Sequence, residues 1–106
     1  MGCITTYNKY MKMKKEYKLL VKGRVQGVGF RYYTCKIAEK YDAKGYVRNT
    51  EEGDVEIVLQ IEPVLIAEIL TDIRKGPGLS RVDEIKVFEK EIKDKEIKYR
   101  AFNIEY

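Results

Sequence analysis

The residues best equipped for chemistry lie in one stretch, Gly23-Arg24-Val25-Gln26-Gly27-Val28-Gly29-Phe30-Arg31. Gly27 and Gly29 allow the backbone to turn so that successive N–H groups converge, and a helix starting just after them adds a partial positive charge. Arg31 falls in the first turn of that helix, where a cation is mildly opposed by the helix dipole. A bound phosphate would offset that cost, and a guanidinium can hold two oxygens of a tetrahedral anion at once. The segment is not a Walker A loop, because the Gly-Lys-Ser/Thr ending is absent. Nor is it a dinucleotide fingerprint, since Tyr32 stands where a third small residue belongs. Taken by themselves, the residues fit a phosphate cradle or a plain strand-to-helix turn with a solvated arginine equally well.

Composition narrows the chemistry further. The chain of 106 residues contains no histidine, which removes Ser-His and Cys-His nucleophile pairs, His zinc ligands and His phosphocarriers together. Its two cysteines, Cys3 and Cys35, cannot build a disulfide framework or a four-ligand metal site, and they suit free thiols in a reducing cytoplasm. The net charge of +4 favours anionic ligands without choosing among them. With 36% charged residues, the surface has the Lys- and Glu-rich character of heat-stable proteins. No apolar run is long enough for a membrane span, and the first fifteen residues lack the apolar stretch of a signal peptide. Met1-Gly2-Cys3-Ile4-Thr5-Thr6 matches the loose myristoylation pattern, but residues 1–15 are expected to be a disordered basic leader ahead of a single domain at 16–106.

The elements that must hold the glycine segment follow from hydrophobic spacing. Tyr17, Leu19 and Val21 alternate with Lys18 and Lys22 in a first strand from Glu16 to Arg24. Phe30, Tyr33, Ile37, Ala38 and Tyr41 recur at helical steps in a first helix that ends near Lys40 or Tyr41. Lys44–Asn49 reads as a second strand, Thr50-Glu51-Glu52-Gly53 as a hairpin turn, and Val55, Ile57, Leu59 and Ile61 as one face of a third strand. Pro63 opens a second helix carrying Leu65, Ile66, Ile69, Leu70 and Ile73, and Gly76-Pro77 stops it. Val82–Phe88 is the expected fourth strand, Glu89–Lys98 a charged connection, and Phe102, Ile104 and Tyr106 mark a fifth strand. This order predicts a ferredoxin-like βαββαβ sandwich of α+β class, two helices on one face of an antiparallel sheet with an additional C-terminal strand. In that topology the first two strands run the same way on either side of the third. The glycine loop and Asn49 should therefore meet at one sheet edge.

Gly23–Arg31, followed by Gly45-Tyr46-Val47-Arg48-Asn49-Thr50 and Gly53-Asp54-Val55-Glu56, closely resembles the two signature segments of the acylphosphatase family. The resemblance extends from about Tyr17 to Tyr106. The hairpin has Glu52 where many family members have Asp, a departure remote from the anion. The resemblance implies a hydrolase that cleaves the carboxyl–phosphate anhydride of acyl phosphates to carboxylate and inorganic phosphate. It implies that Arg31 grips the phosphate, that Val25, Gln26, Gly27, Val28, Gly29 and Phe30 form the amide cradle, and that Asn49 orients the attacking water. It also implies no cofactor and no metal, a small-molecule acyl phosphate as substrate, and inorganic phosphate as product and inhibitor. A cytoplasmic monomer without nucleic-acid or membrane partners is the expectation.

Two rival readings remain at this level. The same motif pair occurs in the hydrogenase-maturation carbamoyltransferases, where a similar domain handles carbamoyl phosphate. The second rival is an RNA-binding ferredoxin-like module, because Lys44-Gly45-Tyr46-Val47-Arg48 opens like an RNP1 motif. Against it, Val47 stands where Gly or Ala belongs and Asn49 where Val belongs.

Overall fold

The computed structural model describes residues 14–93 and 98–106. Residues 1–13 of the expected leader lie outside the described residues, as do 94–97 of the charged connection. Strand β1 (Lys15–Arg24) is followed by helix α1 (Phe30–Lys40), strands β2 (Lys44–Asn49) and β3 (Val55–Ile61), helix α2 (Ile66–Lys75), and strands β4 (Arg81–Glu91) and β5 (Phe102–Glu105). Strand β1 thus begins one residue ahead of the expected start. The second helix opens as a short 3-10 turn, Pro63–Leu65, before its α-helical part. Pro63 presets φ there but supplies no N–H.

Tyr17, Leu19 and Val21 of β1 meet Phe30, Ile37 and Ala38 of α1 and Ile69 and Ile73 of α2 in one core. Helix α1 ends at Lys40 with Tyr41 as its C-cap, and Asp42 follows with a left-handed φ of 52°. The Ala43 amide returns to the Ala38 carbonyl at 2.8 Å and the Asp42 amide to that of Glu39 at 3.3 Å. This is a Schellman closure with Asp in the position glycine usually takes.

The strands are ordered β4-β1-β3-β2-β5. Strands β1, β3, β2 and β4 pair antiparallel, as expected, but β5 lies parallel to β2, with Gly45 beside Phe102 and Val47 beside Ile104. The sheet is therefore mixed, not antiparallel. The cause is topological: β4 runs opposite to β2, so a chain leaving β4 reaches the end where β2 begins and can only run alongside it. The fourth strand also continues past Phe88 to Glu91 and takes in part of the expected charged connection.

A second difference concerns β3. Alternation predicts one buried face, yet all seven residues of β3 are buried. As the central strand it is flanked on both sides, and Lys98 lies against its outer face. There the Lys98 amide donates to Gln60 Oε1 at 3.2 Å, and the Tyr99 ring meets Tyr46 edge-on at 5.9 Å. The face on which an RNA-binding sheet would stack bases is thus partly covered by the protein itself.

Candidate active site

Both ends of the loop between β1 and α1 are anchored in the core: Val25 and Phe30 are each 1% exposed. Between them Gly27 (φ 74°) and Gly29 (φ 78°) adopt left-handed backbone, which glycine reaches without Cβ strain. Gly29 is also the N-cap of α1, and no side chain caps the helix. The amides of its first turn are therefore left for an external acceptor.

Gln26 explains how the loop is held beside β2. Its Nε2 donates to the Thr50 carbonyl at 2.9 Å and to the Asp54 carbonyl at 2.7 Å. These are the two ends of the turn between β2 and β3, so one side chain ties the loop to the turn that directly follows Asn49. Lys22 adds an ion pair to Asp54 at 2.8 Å.

The loop, the start of α1 and the end of β2 enclose a concavity of about 170 Å³. Val25, Gly27, Gly29, Phe30, Arg31 and Asn49 line it. Two residues expected in the cradle, Gln26 and Val28, do not. Gln26 turns its side chain to the turn, and Val28 packs against the core. The sequence reading missed Tyr32, Ile104 and Tyr106, which form the rest of the wall. Ile104 and Tyr106 reach it because β5 lies parallel to β2 and ends at the same sheet edge. The matched spacing of Val47 and Asn49 with Ile104 and Tyr106 was the available signal, but it has meaning only once strand direction is known.

Among the described residues no carboxylate lies within ion-pair distance of Arg31. Its guanidinium instead lies over the Tyr106 ring, 5.0 Å from the centroid, a cation–π contact. Cys35 is half-buried beside a separate groove. Burial pushes its thiol up from the ordinary value, which makes it a poor nucleophile. The concavity thus combines an uncapped helix start, an arginine without an acidic partner among the described residues and an asparagine. This set suits a tetrahedral anion.

A family model described as Acylphosphatase matches residues 17–104. The chain belongs to the acylphosphatase family. It is accordingly a hydrolase with acylphosphatase activity. It is 40% identical over 91 residues to an acylphosphatase of Bacillus licheniformis, covering 86% of this chain and 98% of the relative. Among solved structures it is similar to acylphosphatase from Bacillus subtilis, with TM-score 0.80, 33% identity, and coverage of 87% of this chain and 99% of that one. It also resembles full-length HypF in its phosphate- and nucleotide-bound form (TM-score 0.75, 33% identity). That likeness covers 90% of this chain but 12% of HypF, so it concerns one small part of a much larger protein. The fold is the ferredoxin-like α+β arrangement of these acylphosphatases, two helices on a five-stranded mixed sheet.

Proposed function

We propose that Arg31 and the amides of the Val25–Phe30 loop hold the phosphoryl group of an acyl phosphate while Asn49 orients the water that attacks phosphorus. The observation that carries this reading is that Arg31, Gly27, Gly29 and Asn49 line one concavity, although Asn49 is on a different strand from the loop. Water forms the new P–O bond, the bond to the acyl oxygen breaks, and the products are a carboxylate and inorganic phosphate.

A carboxylate is a good leaving group and phosphoryl transfer passes through a loose transition state, so positioning and charge stabilisation supply most of what is needed. Arg31 and the loop amides provide the charge stabilisation, and Asn49 the positioning. Asn49 cannot act as a base, because a carboxamide does not accept a proton at neutral pH. The proton of the water passes to an oxygen of the substrate phosphate. The hydrolase is preferred over a carbamoyl-phosphate-handling domain because the match takes in 98% of the Bacillus licheniformis acylphosphatase but 12% of HypF.

Inorganic phosphate is then both product and competitive inhibitor, and no metal takes part. Among the described residues no helix is long and apolar enough to cross a membrane. The cysteine usage supports a reducing, cytoplasmic setting, and the charge-rich surface supports heat stability. The test is hydrolysis of benzoyl phosphate by the purified protein with a chelator present and inorganic phosphate as competitor. Chelator-resistant turnover with competitive inhibition is expected. Turnover abolished by the chelator would remove the metal-free mechanism, and phosphate without effect on turnover would remove the anion cradle.

A further inference from the structure

The wall of the concavity has two unlike parts. Gly27, Gly29, Arg31 and Asn49 make a polar part, and Tyr32, Ile104 and Tyr106 an apolar part. Tyr32 is 63% exposed and Tyr106 98% exposed. Single exposed apolar residues are ordinary on a protein surface, but here two aromatic rings and an isoleucine border one polar site.

Each ring also carries a cation. The Arg31 guanidinium lies 5.0 Å from the Tyr106 centroid, and Lys36 Nζ lies 5.4 Å from that of Tyr32. These contacts restrain the rings, and the high exposure of both residues leaves much of their apolar surface in water. Covering such surface with an apolar ligand group is favourable.

An acyl phosphate has two unlike ends. The phosphoryl end suits the polar part, and Val25 and Phe30, both buried in the core, line the concavity beside it. The apolar part of the wall is then left for the uncharged acyl group. We propose that Tyr32, Ile104 and Tyr106 form an acyl-group subsite, and that it selects acyl phosphates with an aromatic or extended apolar acyl group over acetyl or carbamoyl phosphate. This rests on the assignment of Arg31 and the loop to phosphate binding.

Apolar contact with the acyl group is present equally in bound substrate and transition state, so the subsite acts through KM more than through kcat. The experiment measures kcat and KM for benzoyl, acetyl and carbamoyl phosphate in the native protein, in Tyr32→Ala/Tyr106→Ala and in Tyr106→Phe. Both tyrosines are exposed, so the variants are expected to fold, which circular dichroism checks.

The anhydrides differ in intrinsic reactivity, so the decisive number is the change in the benzoyl-to-acetyl ratio of kcat/KM between native protein and variant. That ratio is expected to fall about tenfold or more in the double alanine variant, mainly through KM for benzoyl phosphate, and to survive in Tyr106→Phe. An equal loss on all three substrates would mean that the rings serve only to hold Arg31, and would overturn the subsite. An unchanged ratio would overturn it as well. If the native protein neither hydrolyses any of the three nor binds inorganic phosphate in direct titration, the phosphate-site assignment itself fails and the subsite falls with it.

Discussion

Two arginines near the two faces of the sheet show what a charge does when it is neutralised and when it is not. Arg48, on the outer face of β2, donates through Nε to Glu56 Oε2 at 2.9 Å and through Nη2 to Oε1 at 3.3 Å. The same carboxylate accepts from the Tyr46 hydroxyl at 2.8 Å and pairs with Lys18 at 3.5 Å. Arg31, on the helix side, has a tyrosine ring beside it and no acidic partner among the described residues. Burying Glu56 sets the first arrangement: a carboxylate 6% exposed requires its oxygens to be satisfied. Nothing comparable faces Arg31, whose charge remains available to a ligand. The acidic partner, more than the arginine itself, separates a paired cation from one left open to a ligand.

The largest effect expected from this contrast is at Arg31. Arg31→Gln should lower acyl phosphate turnover about a thousandfold or more and abolish competition by inorganic phosphate. The melting temperature should barely move, because no protein carboxylate loses its partner. A variant that still binds phosphate normally would end the comparison, since Arg31 would then be as structural as Arg48.

Next in size is Asn49, which shares the concavity but carries no charge. Asn49→Ala should reduce kcat about a hundredfold while the inhibition constant of inorganic phosphate stays nearly unchanged. Parallel loss of both would show that Asn49 binds the anion instead of placing water.

The smallest effect on activity belongs to the outer face. Glu56→Gln should leave kcat/KM within about twofold of native, because its partners lie outside the concavity. It weakens charge-assisted hydrogen bonds from Arg48 and Tyr46, so a cost of about 1 kcal/mol is expected, or a fall of roughly 4–8 °C in Tm. Arg48 and Lys18 are 42% and 52% exposed, and solvent screening keeps the figure this low. Burial raises the Glu56 carboxyl, but hydrogen bonds from Arg48 and Tyr46 outweigh it, with the Arg48 and Lys18 charges assisting, and hold it below its ordinary value. Tyr46 is pushed up to about 12, first by burial and then by Glu56, so it stays a donor throughout. A depressed carboxyl stabilises the folded state fully above its unfolded value of about 4.3. That stability is lost as pH falls through the lower folded value. Thermal melts at descending pH should therefore show a shallower acid loss in Glu56→Gln than in native protein, and identical slopes would remove Glu56 as the cause.

Much of the site was legible because its parts are local. The turn at Gly27 and Gly29, the helix starting at Phe30 and the strand ending at Asn49 each follow from residue types within a few positions. The split order of strands then brings the loop and Asn49 to one edge. Gln26 shows where this reasoning stops. Its amide reads as part of the cradle, and its side chain joins Thr50 and Asp54, more than twenty residues away. No local pattern announces that choice, because it depends on carbonyls whose position is set by a different pair of strands.

The amino-acid sequence by itself determined the elements, the placement of Arg31 at a helix start and the meeting of loop and Asn49, since hydrophobic period, glycine conformation and a common topology suffice for these. Tertiary structure alone decided the parallel pairing of β5 with β2, which brings Ile104 and Tyr106 to the concavity. It also decided the burial of both faces of β3 and the carboxylate that occupies Arg48 while none among the described residues reaches Arg31. The physical reason is distance along the chain: strand direction, face coverage and charge pairing depend on which remote segments become neighbours, and alternation within one segment carries no record of its neighbours.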